Sequence, residues 1–248
     1  MEEEKKLTKA KFGIPTLDLA LGGGIPRGSV VLIEDEVGVE PAPLVTRFLT
    51  EALRKGEYGY VVSTEHPFAF YSGLLSALGV NPEIVTETRR LIYIDAFTDP
   101  FSWGEYRSDH KYFIRNVSDT REVNQVVRSA LMHVNPQIQI RGVVDSFSTL
   151  IVTSDIEKAP IAYLQHQVAA QKKTDRVLIM IVHADAHGEQ YVRALEHMVD
   201  GVISLAKTEL EEWHTFRTTL RIQKMPSEFS KDEFWYEFTE GKILITKR

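Results

Sequence analysis

His183, Asp185 and His187 alternate with two alanines in the run His183-Ala184-Asp185-Ala186-His187. In an extended chain a period of two points all three side chains to one side. Imidazole and carboxylate are both Zn²⁺ ligands. Spacing fixes no further ligand, so the plainer reading is polar residues at a strand end, and no metal site is assigned. Asp145-Ser146 sets a carboxylate beside a hydroxyl, but the G-x-S-x-G turn of a serine hydrolase is absent. Cysteine is absent too, which removes thiol chemistry and disulfides. Phe97, Phe101, Trp103, Tyr106, Tyr112 and Phe113 crowd into one segment with Pro100 and Gly104. Such a segment is either a loop pinned to the core by its aromatics or a surface for a partner, where Trp and Tyr are enriched.

The elements that must position these groups follow from apolar periodicity. Val30–Ile33, Tyr60–Ser63, Leu91–Asp95, Gly142–Asp145 and Val177–Val182 read as strands. Helix-like segments separate them. Leu44, Val45, Phe48, Leu49, Ala52 and Leu53 recur at helical spacing before Gly56. Phe68–Leu78 ends at Gly79, Val123–Val134 follows an Asp119/Glu122 pair resembling a capping box, and Ile161–Gln171 is a further helix. Fully apolar runs between helices indicate a parallel sheet buried on both faces. After Val199 the strand-like runs 201–206, 215–223, 234–238 and 242–245 leave little room for helices and read as a meander. No linker or repeat interrupts the pattern. The expectation is an N-terminal tail over 1–10 and one domain over 11–248.

Composition sets the outer limits. The chain has 248 residues, 43% hydrophobic and 26% charged, which fits a globular protein rather than a disordered one. No apolar run approaches the roughly 18 residues of a membrane span, and the start lacks a signal-peptide pattern. A cytoplasmic protein is expected. Lys+Arg is 29 against Asp+Glu 35, net −6. The basic pairs Arg89/Arg90 and Lys172/Lys173 are scattered, so charge gives no support to nucleic-acid binding.

The stretch from Phe12 to Pro67, which opens GIPTLDLALGGGIPRGS, resembles the beginning of a KaiC-like ATPase of the RecA superfamily. RGVVDSFSTL resembles its Walker B strand, and HMVDGVISL and LRIQKM match further on. The resemblance covers about residues 11 to 246. It implies a RecA-type doubly wound α/β fold with a mostly parallel sheet and side-by-side self-association.

The nucleotide loop of that family departs from its pattern here. Backbone N–H groups of G-x-x-x-x-G-K-[ST] wrap phosphates, the Lys reaches the terminal ones and the hydroxyl holds Mg²⁺. The two glycines are replaced by Asp35 and Glu40, the Lys by Pro41 and the hydroxyl by Ala42, and Gly38 alone remains. Pro41 and Pro43 carry no N–H. Glu34, Asp35, Glu36 and Glu40 surround a site meant for a polyanion. Two like charges about 4 Å apart repel by about 4 kcal/mol at an effective dielectric of 20, more than the ~2 kcal/mol a helix dipole supplies at best. Asp145 matches the Walker B Asp, and Glu65 matches the first of two family glutamates, the second being His66. The family's K-M-R-G reads Lys224-Met225-Pro226-Ser227, so the trans-acting arginine is missing. The vestigial nucleotide site therefore comprises Asp35, Gly38, Glu40, Pro41, Ala42, Glu65, Asp145 and Lys224. The expected function is an inactive pseudo-ATPase without cofactor, which binds a protein or peptide and forms a small homo-oligomer. Its expected docking rim is Glu34, Asp35, Glu36 and Glu40 with Phe97, Phe101 and Trp103. An ATPase with an unusual loop and a DNA-binding recombination mediator are the alternatives.

Overall fold

A computed structural model describes residues 8–101, 107–210 and 215–248. The chain opens with β1 (Lys9–Ala10), α1 (Pro15–Ala20) and β2 (Ile25–Pro26), and β2 pairs back on β1. Residues 9 and 10, expected in the tail, are thus part of the fold, and Ala10 is fully buried. There follow β3 (Val30–Asp35), α2 (Ala42–Arg54), β4 (Tyr58–Ser63), α3 (Phe68–Ala77), α4 (Pro82–Glu87) and β5 (Leu91–Asp95). Next come α5 (Thr98–Phe101), α6 (Thr120–Leu131), β6 (Ile140–Asp145), α7 (Phe147–Thr153) and α8 (Ala159–Thr174). The last elements are β7 (Val177–His183), α9 (Glu189–Met198), β8 (Gly201–Leu210), β9 (Thr215–Lys224), β10 (Glu233–Thr239) and β11 (Lys242–Lys247).

Nine strands form one sheet in the order β11-β10-β9-β8-β3-β7-β6-β4-β5. The six from β8 to β5 run parallel. The β8–β9–β10–β11 meander is antiparallel, as the spacing of the last runs suggested. Every residue of β3 is buried, which only a strand covered on both faces allows. Alternation then divides the core in two. Val31, Ile33, Val61, Val143, Ile179 and Ile181 face the layer containing α2 and α3. Val30, Leu32, Val62, Val144, Leu178 and Met180 face α6 and α8.

Capping fixes where the helices begin. Asp119 accepts from the N–H of Arg121 at 2.9 Å and starts α6. Glu122 does not complete a capping box. It reaches past the cap to the N–H groups of Arg115 and Asn116, at 2.9 and 3.1 Å, and anchors the incoming loop. The aromatic segment is not wholly a loop. It begins with α5, capped by Asp95 through the N–H groups of Phe97 and Thr98, and returns so that Phe113 bridges to Asp95.

Parallel strands end together, so the fold delivers Asp35, Ser63, Asp95, Asp145 and His183 to one rim. Asp35 lies opposite His183, and Ser63 lies opposite both Asp95 and Asp145. The loops leaving these strand ends build the site.

Candidate functional site

The loop between β3 and α2 turns at Gly38, whose φ of +81° is costly for any residue with a Cβ. The Lys207 ammonium from β8 packs across Gly38, and a Cβ there would overlap it. This loop binds to its own chain. The Val37 N–H donates to Asp185 Oδ2 at 2.8 Å, and the Val39 N–H to the Glu36 carbonyl at 2.9 Å. Glu36 Oε2 accepts from the Lys207 N–H at 2.9 Å, and the Tyr236 hydroxyl donates to the Glu40 carbonyl at 3.2 Å. At the start of α2 Pro41 offers no side-chain cap. Glu40 supplies one instead: its Oε1 accepts from the Ala42 N–H at 3.0 Å. A carboxylate at a helix N-terminus is stabilised by the exposed N–H groups and the dipole.

Deeper in the rim sits a half-buried ionic chain. His183 Nδ1 lies 2.8 Å from Asp35 Oδ1, and its Nε2 lies 3.0 Å from both oxygens of Glu65. Hydrogen bonds with Asp35 and Glu65 outweigh burial and push the imidazole up to about 10, so it is an imidazolium at neutral pH. Burial alone would raise Glu65. The bonds from His183, Ser146 Oγ at 2.6 Å and Thr149 Oγ1 at 2.9 Å reverse that and hold it at about 2. Burial raises Asp35 above the usual carboxylate range, and the contact with His183 opposes the rise.

Asp145 stands beside this chain, 2% exposed. The buried Tyr71 hydroxyl donates to its Oδ2, and His66 Nε2 lies 4.0 Å from the same oxygen. Burial drives the Asp145 carboxyl up to about 7; the Tyr71 bond opposes it, while Glu65 and Glu40 push it further up.

The site gathers Asp35, Gly38, Glu40, Pro41, Ala42, Glu65 and Asp145 at one rim. It does not gather Lys224. β9 runs antiparallel to β8 and pairs Lys224 with Val202, near the start of β8, at the amino end of the parallel strands. There the ammonium donates to the carbonyls of Glu196 and Val199, at 2.9 and 2.7 Å, and closes the C-terminus of α9. Glu34 is corrected as well. An even position on β3 turns it into the sheet face, where it is buried against Glu196; burial first, then that neighbour, pushes it up to about 7. Asp35 is also buried, so the acidic rim open to a partner consists of Glu36 and Glu40. Phe97 is half-buried, and Trp103 and the side chain of Phe101 lie outside the described residues.

The alternating segment 183–187 does not converge on a metal. Ala184–Ala186 form a 3₁₀ turn, which breaks the period of two. Asp185 holds the loop at Val37, and His187 Nε2 sits 2.8 Å from Ser148 Oγ. His183, weighed only as part of that segment, is the centre of the ionic chain. A histidine ending an apolar strand was the signal for it. Tyr71 and Lys207 were missed, because one reads as a core aromatic and the other as a surface charge.

A magnesium nucleotide does not fit these residues. Pro41 offers neither ammonium nor N–H, and Ala42 offers no hydroxyl. The Val37 and Ala42 N–H groups already face carboxylates of the chain itself. Among the described residues no helix is long and apolar enough to cross a membrane.

A UPF0273 protein of Thermotoga maritima is 29% identical over 241 residues, covering 96% of each chain. A UPF0273 protein of Pyrococcus horikoshii is 30% identical over 204 residues, 82% of this chain and 80% of the relative. The crystal structure of a KaiC-like protein from Pyrococcus horikoshii superposes with a TM-score of 0.73 over 96% of this chain and 99% of its own, at 19% identity, which speaks for the RecA-type fold alone. The family described as ATPase, KaiC type, matches residues 10–248. With the family model matching nearly the whole chain, the chain belongs to the KaiC ATPase family.

Proposed function

We propose that this chain is a pseudo-ATPase of its family, which neither holds nor hydrolyses a magnesium nucleotide and works by binding a protein. The observation that carries the reading is the pair of internal carboxylates on the loop: Asp185 on the Val37 N–H and Glu40 on the Ala42 N–H. Both occupy loop N–H donors, and a polyanion that used those donors has to displace them. The chemistry beside the loop agrees. A general base needs a pKa near the working pH, whereas Glu65 is held near 2 by an imidazolium.

The protein-binding half of the proposal rests on the surface next to the loop. A groove of about 470 Å³ is lined by Gly38, Glu40, Phe216, Arg217, Tyr236 and Phe238 among others. Val37 and Phe216 are 75% and 64% exposed on this rim. Exposed apolar side chains beside the acids Glu36 and Glu40 suit a segment carrying basic and apolar residues. Self-association into a small oligomer belongs to the same proposal. Its test is crosslinking from cell extract with wild type, Glu36→Lys/Glu40→Lys and Phe216→Ala. Partners should be lost from both variants and crosslink near Phe216; equal capture by all three, or crosslinks confined to the amino rim, contradicts the reading. One observation favours the ATP-using alternative: Lys207 lies across Gly38 and is a cation next to the loop. Phosphate release that depends on Lys207 would establish that alternative.

A further inference from the structure

The rebuilt rim has lost the groups that bind anions and kept those that bind cations. Glu65, His66 and Asp145 each present one ligand atom, and the three atoms lie within 4.8 Å of one another. His66 replaces a family carboxylate by an imidazole. We infer that Glu65, His66 and Asp145 form a site for a first-row transition-metal dication such as Zn²⁺, filled without nucleotide.

Geometry carries this first. The 4.0 Å between His66 Nε2 and Asp145 Oδ2 is too long for a hydrogen bond and close to twice a metal–ligand bond of about 2.0–2.2 Å. Closing that gap by roughly half an ångström gives the tetrahedral ligand spacing. Side-chain rotation supplies it, since His66 and Glu65 lie on the turn after β4 and both are only half-buried. Asp145 is fixed by the strand end, and His66 is oriented by stacking on Phe70, ring centroids 3.9 Å apart.

The surroundings resemble an outer ligand shell. The Tyr71 hydroxyl donates to Asp145, and Ser146, Thr149 and His183 donate to Glu65. Such partners orient ligating carboxylates. Ligand type selects the metal. Mg²⁺ prefers octahedral oxygen and phosphate ligands, whereas imidazole with two carboxylates suits Zn²⁺, Co²⁺ or Mn²⁺.

The experiment titrates the chelator-treated full chain with Co²⁺, read by its visible d–d bands, and then displaces it with Zn²⁺. Wild type should bind one equivalent in the absence of ATP. His66→Ala and Asp145→Asn should each weaken binding at least about tenfold. His187→Ala, outside the triad, should bind as wild type does. His66 is part-exposed, so His66→Ala remains informative even if Asp145→Asn fails to fold, and circular dichroism checks both. No cobalt spectrum, binding unchanged in His66→Ala, or binding that appears only with added ATP overturns the inference. Phosphate release is measured on the same samples, so failure of the metal site and failure of the pseudo-ATPase reading are told apart.

Discussion

Two ionic clusters sit at opposite ends of the sheet and make a natural contrast, the one at the amino end more deeply buried than the other. At the amino end Glu57 bridges Arg27 at 2.6 Å and Arg141 at 2.7 Å. Arg141 is fully buried, donates to the carbonyls of Lys11 and Phe48, and stacks over the Phe48 ring at 4.8 Å. At the carboxyl end Asp35 and Glu65 bracket His183. The first cluster holds two guanidiniums on one carboxylate and keeps its charge at any ordinary pH. The second holds two carboxylates on one imidazole and titrates. The amino-end cluster is a fixed staple joining the N-terminal segment to the sheet. The carboxyl-end cluster lies at the strand ends, beside the loop that the pseudo-ATPase proposal concerns.

The largest effect separating them is expected from Glu57→Ala. It leaves two guanidiniums buried without a counter-charge, a class of change worth about 3–5 kcal/mol. Urea unfolding at pH 5 and pH 9 should show a similar loss at both. A loss confined to one pH would break the contrast.

His183→Gln should cost somewhat less, about 2–3 kcal/mol at neutral pH, since it sets Asp35 against Glu65 in a site with some solvent access. It should also abolish a pH dependence. His183 is raised from 6.5 to about 10, so its stabilisation is complete below about pH 6.5 and is lost as pH rises through 10. Asp145 is raised from 3.8 to about 7 and favours the fold while protonated, so stability also falls as pH rises from about 4 to 7. Glu65, lowered to about 2, acts in the opposite sense and loses its stabilisation as pH falls from 4.5 towards 2. Thermal melts should therefore peak in mildly acid solution and decline towards pH 10. The decline above pH 7 should flatten in His183→Gln, and a wild type most stable at pH 9 would contradict the assignment.

A smaller effect sharpens the fate of the family's basic position. Lys224→Met removes the ammonium from the end of α9 and should cost about 1 kcal/mol, seen as a lower urea midpoint. Nucleotide and metal titrations should not change. Gly38→Ala should cost about 1 kcal/mol through its positive φ, plus whatever Lys207 loses by moving.

The sheet was legible because it is written in local chemistry. Val30–Ile33 and Val177–Val182 are unbroken apolar runs, and the strand-rich end from 201 onward has no helical periodicity. Shorter pieces escaped. α4 is capped by Asn81, whose Oδ1 accepts from the N–H groups of Glu83 and Ile84, with Pro82 as its first helical residue; a helix of six residues with no buried side chain carries no apolar period to read. α9 escaped because only Val192 and Leu195 are buried along it. In the site, the residues of the β3–α2 loop could be named from position alone. Their partners could not. Asp185 reaches Val37 across 148 positions of sequence, and Lys207 reaches Glu36 across 171. Glu34 and Asp35 read as one acidic surface, yet the strand buries them both and turns them to different neighbours, Glu196 and His183.

The most direct measurement is a calorimetric titration of wild type with ATP and Mg²⁺, run beside Glu40→Gly/Pro41→Lys/Ala42→Thr, which removes the loop carboxylate and restores the family's lysine and hydroxyl. With Glu40 and Asp185 occupying the loop donors, wild type should give no saturable heat at millimolar nucleotide, and the triple variant should gain a binding isotherm. Saturable one-to-one binding by wild type would contradict the account.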